Sequence, residues 1–439
     1  MTRRTALSIA LSMQLGALAI PAQAANWLML QGTEPAGSAG RAKLWGFVQA
    51  QYQKDFSDPF TAPGKEIYVP PKLIGPNLEE QAQFNINRAR IGVRGANFPL
   101  DTKTNYFVLL EMGNNGITHG SGSFAHLTDA SVTLNHIPGA RIRLGMFKYP
   151  GSEEGLQAIH VFDWINFTMV TNQLLLERFP TKEDVKNASD PKQRDLNAID
   201  GTLNENLISN PVGAFRDIGV QVFDTFRRAD WEHSYAVMYG NGHGLNLGNG
   251  DGKGNLYLYW SSEKVFGGKG GRREGWKSFV WWQQGDRKLY SYDTGTDTFS
   301  TETVTRTRWG LGTKYLKKPF RVTAEYMRGK GAIFYGPHNP DRLLNDRKAS
   351  GWYLEGGWYI PGTKWEIDAR YDRYTRDEND AGADTRFRTF TIGAQYHFNK
   401  KTRINMEYAF RNFESDVVNV DRQLEDVGGR FAIQVTAIF

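Results

Sequence analysis

The chain of 439 residues contains no cysteine. Disulfide bonds, thiolate metal sites and cysteine nucleophiles are therefore excluded. Beyond residue 24 the sequence also lacks any uncharged apolar run of about 18 residues, the length from which a membrane-spanning helix becomes a candidate. The chain also lacks a large excess of charge of either sign, because 53 basic and 47 acidic residues give a formal net charge of only +6. Such a weak basic balance does not indicate a nucleic-acid-binding protein.

The first 24 residues have the pattern of an export signal. Two arginines at positions 3 and 4 precede an apolar run over 5–20, and residues 21–24 supply small residues before a cleavage site. The apolar run is short for a membrane anchor. We therefore predict a signal peptide over residues 1–24, whose removal leaves a net charge of +4 because only the two arginines in it are charged.

The composition of the remainder is rich in aromatic residues and glycine. Aromatic residues make up 13% of the chain and there are 47 glycines, yet the mean hydropathy is −0.52. A transmembrane β-barrel accounts for this combination. Its lumen is polar, its lipid face is apolar, and aromatic girdles mark both membrane interfaces.

Side-chain polarity alternates with a period of two, as in a strand between lipid and water. In residues 430–439, Phe431, Ile433, Val435 and Phe439 fall on one face, and the intervening positions are mainly polar or small. The same pattern recurs along the chain. We predict strands near 43–53, 84–95, 104–112, 125–135, 141–148, 214–226, 231–241, 255–263, 275–286, 304–316, 320–328, 350–360, 364–374, 386–398, 402–411 and 429–439.

The connections between these strands are sorted by length. Short turns rich in Pro, Gly and Asn, such as 136–139 and 361–363, alternate with longer polar segments near 54–83, 113–124, 149–213, 242–254, 287–303, 329–349, 375–385 and 412–428. Outer-membrane barrels have short periplasmic turns and long extracellular loops. The predicted fold is therefore all-β: a sixteen-stranded antiparallel transmembrane β-barrel over residues 43–439, in the outer membrane of a Gram-negative cell.

Residues 149–213 form the third long loop, which is unusually long and apolar in its first half. We predict that it folds into the lumen and narrows the pore. The alternatives are an extracellular cap and a disordered insertion. The charged residues proposed for this constriction are Glu153, Glu154, Asp163, Glu177 and Arg178. Residues 25–42 are predicted to form a periplasmic lead, of which 26–30 could dock at the foot of the barrel.

Alternation also places a set of cationic side chains on the lumen face. An arginine at the bilayer midplane costs about 2–4 kcal/mol, whereas one in a watery lumen costs little. The candidates are Arg88, Arg90, Arg94, Arg141, Arg143, Arg306, Arg308, Lys314, Arg403 and Arg430. They could form a ladder that guides anions, because guanidinium groups suit phosphate and carboxylate. Alternatively they pair with lumen carboxylates and only solvate the wall.

The charge of residues 149–213 opposes an anion preference. This loop carries ten acids and five bases, which is an excess of five negative charges. The sequence therefore leaves anion and cation preference open.

An enzyme is not indicated. The eight histidines are scattered without ligand-like spacing, and no Gly-x-Ser-x-Gly, His-Glu-x-x-His or phosphate-binding glycine loop occurs. We expect no catalytic residue, no metal and no cofactor.

Several short segments resemble the phosphate-selective porin O and P family. They are residues 44–47 (Leu-Trp-Gly-Phe), 87–95 (Asn-Arg-Ala-Arg-Ile-Gly-Val-Arg-Gly), 143–148, 177–178 and 216–220. The resemblance covers most of the mature chain and implies a sixteen-stranded homotrimer that conducts anions passively without a cofactor. The family pairs an arginine ladder with a lysine-rich constriction, and the acidic loop 149–213 departs from that pattern.

Two functions follow from these features. The first is a porin for passive diffusion of small hydrophilic solutes, anions such as phosphate among them, with the outer-membrane bilayer as its surroundings. The alternative is a barrel that serves as a scaffold or sheath for a periplasmic or exported partner.

Overall fold

The computed structural model describes residues 26–30, 40–62, 65–67, 80–96, 100–118, 124–177, 182, 185–186, 213–248, 252–268, 270–335, 342–377 and 382–439. The predicted signal peptide, residues 1–24, lies outside the described residues. So do Arg178 and most of the periplasmic lead.

Sixteen antiparallel strands close into one barrel, as predicted. Each predicted strand overlaps one observed strand. Two further hairpins of three-residue strands lie outside the barrel sheet, so the strands are numbered β1 to β20 along the chain. Within the described residues no helix is long and apolar enough to span a membrane. The barrel strands are β1 (Lys43–Asp55), β4 (Ala82–Ala96), β5 (Thr104–Glu111), β6 (His126–Leu134), β7 (Arg141–Lys148), β8 (Arg216–Arg228), β9 (Trp231–Gly240), β10 (Asn255–Gly267), β11 (Glu274–Asp293), β12 (Thr298–Lys317), β13 (Phe320–Lys330), β16 (Lys348–Tyr359), β17 (Trp365–Arg376), β18 (Thr385–His397), β19 (Thr402–Ser415) and β20 (Arg430–Ile438).

The remaining elements lie in the long connections. The hairpins are β2 (Phe60–Ala62) with β3 (Lys65–Ile67), and β14 (Ile333–Tyr335) with β15 (Arg342–Leu344). A helix spans Val418–Glu425 between β19 and β20.

Exposed and buried side chains alternate along each strand because one face of the sheet contacts lipid and the other contacts the barrel interior. On β17, Trp365, Ile367 and Ala369 are exposed on the outer face, whereas Glu366 and Asp368 between them are buried. An outward acid in the apolar band would be destabilising, so the pattern fixes the register of each strand.

The predicted loop at 287–303 is wrong. Strands β11 and β12 continue through this region, pair as far as Asp293 and Thr298, and leave only residues 294–297 as the tip. The reason lies in the side chains, because Thr and aromatic residues dominate the segment and favour strands. The rings of Tyr292 and Phe299 contact each other, with centroids 4.8 Å apart.

The barrel closes where β1 pairs with β20. Gln49 lies opposite Thr436 in this seam. The backbone N–H of Phe439 donates to the Gly46 carbonyl at 3.0 Å, and the Gly46 N–H donates back to Phe439 at 3.2 Å. The barrel sheet is thus left without an unpaired edge.

Candidate pore and constriction

Residues 149–177, called the loop segment here, follow β7 and lie against the inner face of the barrel. Backbone N–H groups of the segment donate to wall carboxylates: Glu153 to Glu325 at 3.1 Å, and Met169 to Asp372 at 2.8 Å. The N–H of Ile165 donates to Glu407 in the same way, at 2.8 Å. Acids of β13, β17 and β19 therefore hold the loop backbone. The inward course of the rest of residues 149–213 stays a prediction.

The loop segment has little regular structure. It contains one turn of α-helix at Glu153–Leu156, a 3-10 turn at Ile159–Val161 and a π-helical turn at Thr171–Leu175. Helices this short depend on their surroundings for stability. Wall contacts, rather than local propensity, determine their positions.

The apolar side chains of the loop segment are buried. Phe162, Trp164 and Leu174 are each at most 3% exposed. The indole N–H of Trp164 donates to Glu355 at 2.7 Å, and the guanidinium of Arg370 lies 4.6 Å from the ring centroid. This burial explains why an apolar sequence occurs in so long a connection.

The loop acids Glu153 and Asp163 lie against cations of the barrel. Glu153 forms ion pairs with Lys277 of β11 and with Lys314 of β12, the latter at 3.1 Å. Asp163 pairs with Arg272, in the turn before β11, and with Arg321 of β13 at 3.3 Å.

The other two described loop acids are paired as well. Glu154 lies 3.6 Å from Arg370 of β17 and accepts a hydrogen bond from Thr168 at 2.6 Å. Glu177 lies 2.8 Å from both Arg287 of β11 and Arg306 of β12. The negative charge of the loop segment is therefore locally compensated by the wall.

These environments shift the pKa values of the loop acids in opposite directions. Burial alone would raise the pKa of Glu153, but Lys277 and Lys314 lower it to about 2. Glu177 behaves likewise: burial would raise its pKa, and its arginine partners lower it to about 2. For Glu154 burial prevails over Arg370 and raises the pKa to about 7. Glu154 is thus the loop acid that changes charge near neutral pH.

The ladder candidates on β4 occupy two environments. Arg88 and Arg90 are buried; Arg90 pairs with Glu111 at 2.6 Å, and Arg88 donates to the Gln49 side chain at 3.0 Å. A bulge in the pairing of β1 with β4 lies beside Arg88. Arg94 is half-buried, and its guanidinium lies 5.6 Å from the centroid of the Trp45 ring.

The candidates on β7 also contact neighbouring wall strands. Arg141 lies 3.4 Å from the carboxylate of Asp224. Arg143 is fully buried, with its guanidinium 4.3 Å from the centroid of Phe223 and a hydrogen bond to Thr133 at 3.3 Å.

Arg308 of β12 is buried, and its hydrogen bonds join the loop segment to the barrel wall. Its guanidinium donates to the carbonyl of Leu174 in the loop segment at 3.0 Å. It also donates to the carbonyls of Gly331 and Ala332, each at 2.9 Å. The planar fork of arginine donors suits several carbonyls at once.

Arg403 and Arg430 lie at opposite ends of the barrel interior. Arg403 donates to Gln395 at 2.9 Å and to the backbone carbonyl of Phe162 in the loop segment. Arg430 lies 3.6 Å from Asp55, near the extracellular end. The predicted cations are thus buried or half-buried, but several are engaged by carboxylates or carbonyls.

Some interior cations were not among the candidates. Arg321 lies within 2.6 Å of both Glu366 and Asp368 and 3.6 Å from Glu355. Its outward neighbours Phe320 and Val322 carry the alternation that could have revealed it. Alternation with exposed neighbours would also have identified Lys277, Arg287 and Arg370 as inward-facing residues of their strands. Arg272 lies in a turn, where side chains do not alternate between two faces.

A cavity of about 390 Å³ lies on the periplasmic side of the loop segment. Asp129 is the only side-chain carboxylate among its described lining residues. His160 also lines it, but burial and nearby cations lower the pKa of this imidazole to about 3, so it stays neutral. The lining cations are Lys43, Arg90, Arg94, Lys148, Arg216 and Lys401.

A second cavity, of about 820 Å³, opens at the periplasmic mouth. Among its described lining residues Glu274 is the only acid. Its lining cations are Arg272, Lys318, Lys364, Lys400, Lys401 and Arg403. Both cavities are therefore strongly basic.

Part of the N-terminal lead lies inside the barrel. Trp27, Leu28 and Met29 are buried, and the Asn26 amide donates to Ser234 of β9 at 2.6 Å. The Trp27 ring packs so closely on Gly271 that a Cβ there would lie 2.5 Å from it. Asn26–Leu30 thus forms a turn that narrows the periplasmic half of the lumen.

Within the described residues, no group of three or more His, Asp or Glu side chains could hold a metal ion. Some of the described charges line the two cavities, and others join the loop segment to the barrel wall.

The model of the family "Phosphate-selective porin O and P" matches residues 75–423. The chain belongs to this family. No match among curated proteins was found. Solved structures share the fold of this porin at low identity. A loop L8 deletion mutant of OmpT, an outer-membrane protein of Vibrio cholerae, has a TM-score of 0.54 at 10% identity, covering 92% of this chain and 100% of that one.

Two other structures are similar in extent. The trimer form of in-vitro folded OmpT from Vibrio cholerae has a TM-score of 0.52 at 12% identity, covering 92% of this porin and 100% of that chain. OprB of Pseudomonas putida has a TM-score of 0.51 at 9% identity, covering 91% and 94%. Family and fold together identify an outer-membrane porin for small solutes.

Proposed function

We propose that this porin conducts small anions by passive diffusion and that inorganic phosphate is among its solutes. The observation that carries the proposal is the lining of the 390 Å³ cavity, which contains six cationic side chains and one acidic side chain. A net-positive, narrow passage raises the local concentration of anions. Guanidinium groups also suit the geometry of phosphate.

The acids of the loop segment do not oppose this preference. Glu153, Glu154, Asp163 and Glu177 each lie beside at least one wall cation. These four acids are therefore neutralised by the wall. Two of the six cavity cations are themselves paired with wall acids, Arg90 with Glu111 at 2.6 Å and Arg216 with Asp129 at 3.0 Å, so six cations less two acids leave an excess of four positive charges. The passage therefore favours anions although the whole loop has an excess of acids.

A sheath for a protein partner is not supported. The loop segment reaches from β7 to Glu407 of β19 and to Asp372 of β17, which leaves little open width across the lumen. We further propose that the porin assembles as a homotrimer, as OmpT of Vibrio cholerae is seen to do, and that it carries no catalytic activity.

Ion selectivity in planar bilayers tests the proposal. Under a potassium chloride gradient the reversal potential should have the sign of an anion-selective channel, and added phosphate should reduce the chloride current by competing for the passage. Replacing Arg94, the half-buried cavity cation, by Gln should shift the reversal potential toward zero. Arg228→Gln is the matched control, because Arg228 is exposed at a periplasmic turn and lines neither cavity. A cation-selective wild-type channel would refute the anion preference.

A further inference from the structure

The outer face of the barrel carries two arginines at the edge of its apolar band. Register pairs Trp352 of β16 with Arg373 of β17, and Arg373 with Arg388 of β18. One row closer to the periplasm, the aromatic residues Tyr371 and Phe390 occupy the same two strands. Arg373 and Arg388 therefore lie at the extracellular boundary between the hydrocarbon and the headgroups.

Below these arginines lies a groove of about 1010 Å³ on the lipid-facing surface. Gly356 and Ala369 are cross-strand neighbours and form its floor. Larger residues, Leu354 and Trp358 on β16 and Phe390 on β18, stand at its sides. The nearest atom to a Cβ built on Gly356 is a backbone oxygen 3.6 Å away, so the groove is open above the glycine.

The charges at the top of the groove are unevenly compensated. Arg388 pairs with Glu414 at 2.7 Å, and Arg386 nearby pairs with Asp416 at 2.8 Å. Arg373 is exposed and has no ion pair among the described residues. Like charges directly opposite each other on adjacent strands are unfavourable. An anion between Arg373 and Arg388 would relieve this contact.

We propose that this face binds an anionic lipid of the outer leaflet. The phosphate of its headgroup lies between Arg373 and Arg388, and an acyl chain lies in the groove over Gly356 and Ala369. Arg373 lies four positions beyond Ala369 on β17, which is a distance of about 13 Å at the rise of a strand. An extended acyl segment of that length reaches from the headgroup level to the groove floor.

Charge complementarity favours this occupant over a second copy of the chain. A protein neighbour would have to bury the Arg373 guanidinium, which has no carboxylate partner among the described residues, and an unpaired buried charge is strongly unfavourable. A lipid phosphate supplies the missing anion at the correct depth.

Lipid retention measured by native mass spectrometry tests the site. The probe is lipid A carrying two phosphates, added to the folded porin in mixed detergent micelles. The double variant Arg373→Gln with Arg388→Gln should retain the lipid roughly thirtyfold less than wild type, in line with the attraction of a lipid surface for two cations. Gly356→Leu, which fills the groove without changing charge, should also weaken retention. Lys288→Gln, an exposed cation outside the groove, is the control and should bind as wild type does.

Three results would overturn the proposal. Equal retention by wild type and the double arginine variant would remove the role of the two arginines. Displacement of the lipid by millimolar inorganic phosphate would assign the site to free phosphate. Disulfide cross-linking of Gly356→Cys between two copies would assign the groove to a protein interface. Folding of each variant is checked by heat-dependent gel mobility, and chloride conductance should be unchanged because none of these residues lines the two basic cavities.

Discussion

The carboxylate of Glu153 lies 3.1 Å from the ammonium of Lys314, so an acid of the loop segment neutralises a base of the barrel wall. Both groups are largely buried. The contact explains how an acidic loop segment can lie in the lumen beside two cavities with basic linings. It also makes the position of the loop dependent on charge.

Removing the charge of Glu153 should loosen the loop segment. Glu153→Gln leaves Lys277 and Lys314 without their carboxylate, and breaking a buried ion pair costs about 3–5 kcal/mol. We expect a lower thermal unfolding midpoint by circular dichroism and noisier single-channel currents. Lys186→Gln is the control: its ion pair with Asp297 is exposed, and its loss should leave both measurements unchanged.

Glu154 should make stability depend on pH around neutrality. Its pKa is raised to about 7, so the folded state favours the protonated form. Below the ordinary pKa of glutamate the side chain is protonated in both the folded and the unfolded state, and folding stability is at its highest. As pH rises from there through about 7, the unfolded chain releases this proton more readily than the folded protein does, so folding stability falls. The variant Glu154→Gln should therefore be more stable than wild type at pH 8, on the order of 3 kcal/mol, and similar to it at pH 4. Parallel unfolding curves at both pH values would contradict the assignment.

Arg308→Lys should detach the loop segment from the wall although it preserves charge. An ammonium cannot reproduce the planar fork that reaches the carbonyls of Leu174, Gly331 and Ala332. We expect a loss of about 1–3 kcal/mol and faster proteolysis after β13. Arg328→Lys, on the exposed outer face of β13, should behave as wild type.

Trp27 should limit the size of the passage. Trp27→Ala removes a ring that lines the 390 Å³ cavity, and single-channel conductance should rise while the sign of the selectivity is kept. Gly271→Ala should also raise conductance, because the new methyl group displaces the ring from the turn. Trp276→Ala, on the outer face, is the control. Equal conductance in all four proteins would show that the turn does not restrict flow.

The barrel could be predicted from the sequence because its strands obey one local rule. Lipid on one side and water on the other impose a period of two, which can be seen in a single strand such as 430–439. The rule failed at 287–303, where polar composition suggested a loop. There residues 298–303 of β12 are exposed on both faces, so neither face has to be apolar.

The pairing of charges could not be predicted in the same way. Glu153 and Lys277 are separated by 124 positions, and Glu177 and Arg287 by 110. Alternation places a side chain inside the barrel, but it gives no information about which loop residue will come to lie against it. The question of selectivity, left open by counting acids and bases, therefore depends on tertiary contacts.

The seam between β1 and β20 has a consequence for biogenesis. Gln49 and Thr436 meet in this seam although 387 positions separate them. Until they meet, β1 and β20 are open edges able to pair with other chains. Among the barrel strands β1 is exported first and β20 last, so the hazard of aggregation lasts until β20 has been exported. A substitution that slows the final pairing should appear as aggregated precursor in the periplasm, not as a leaky cell.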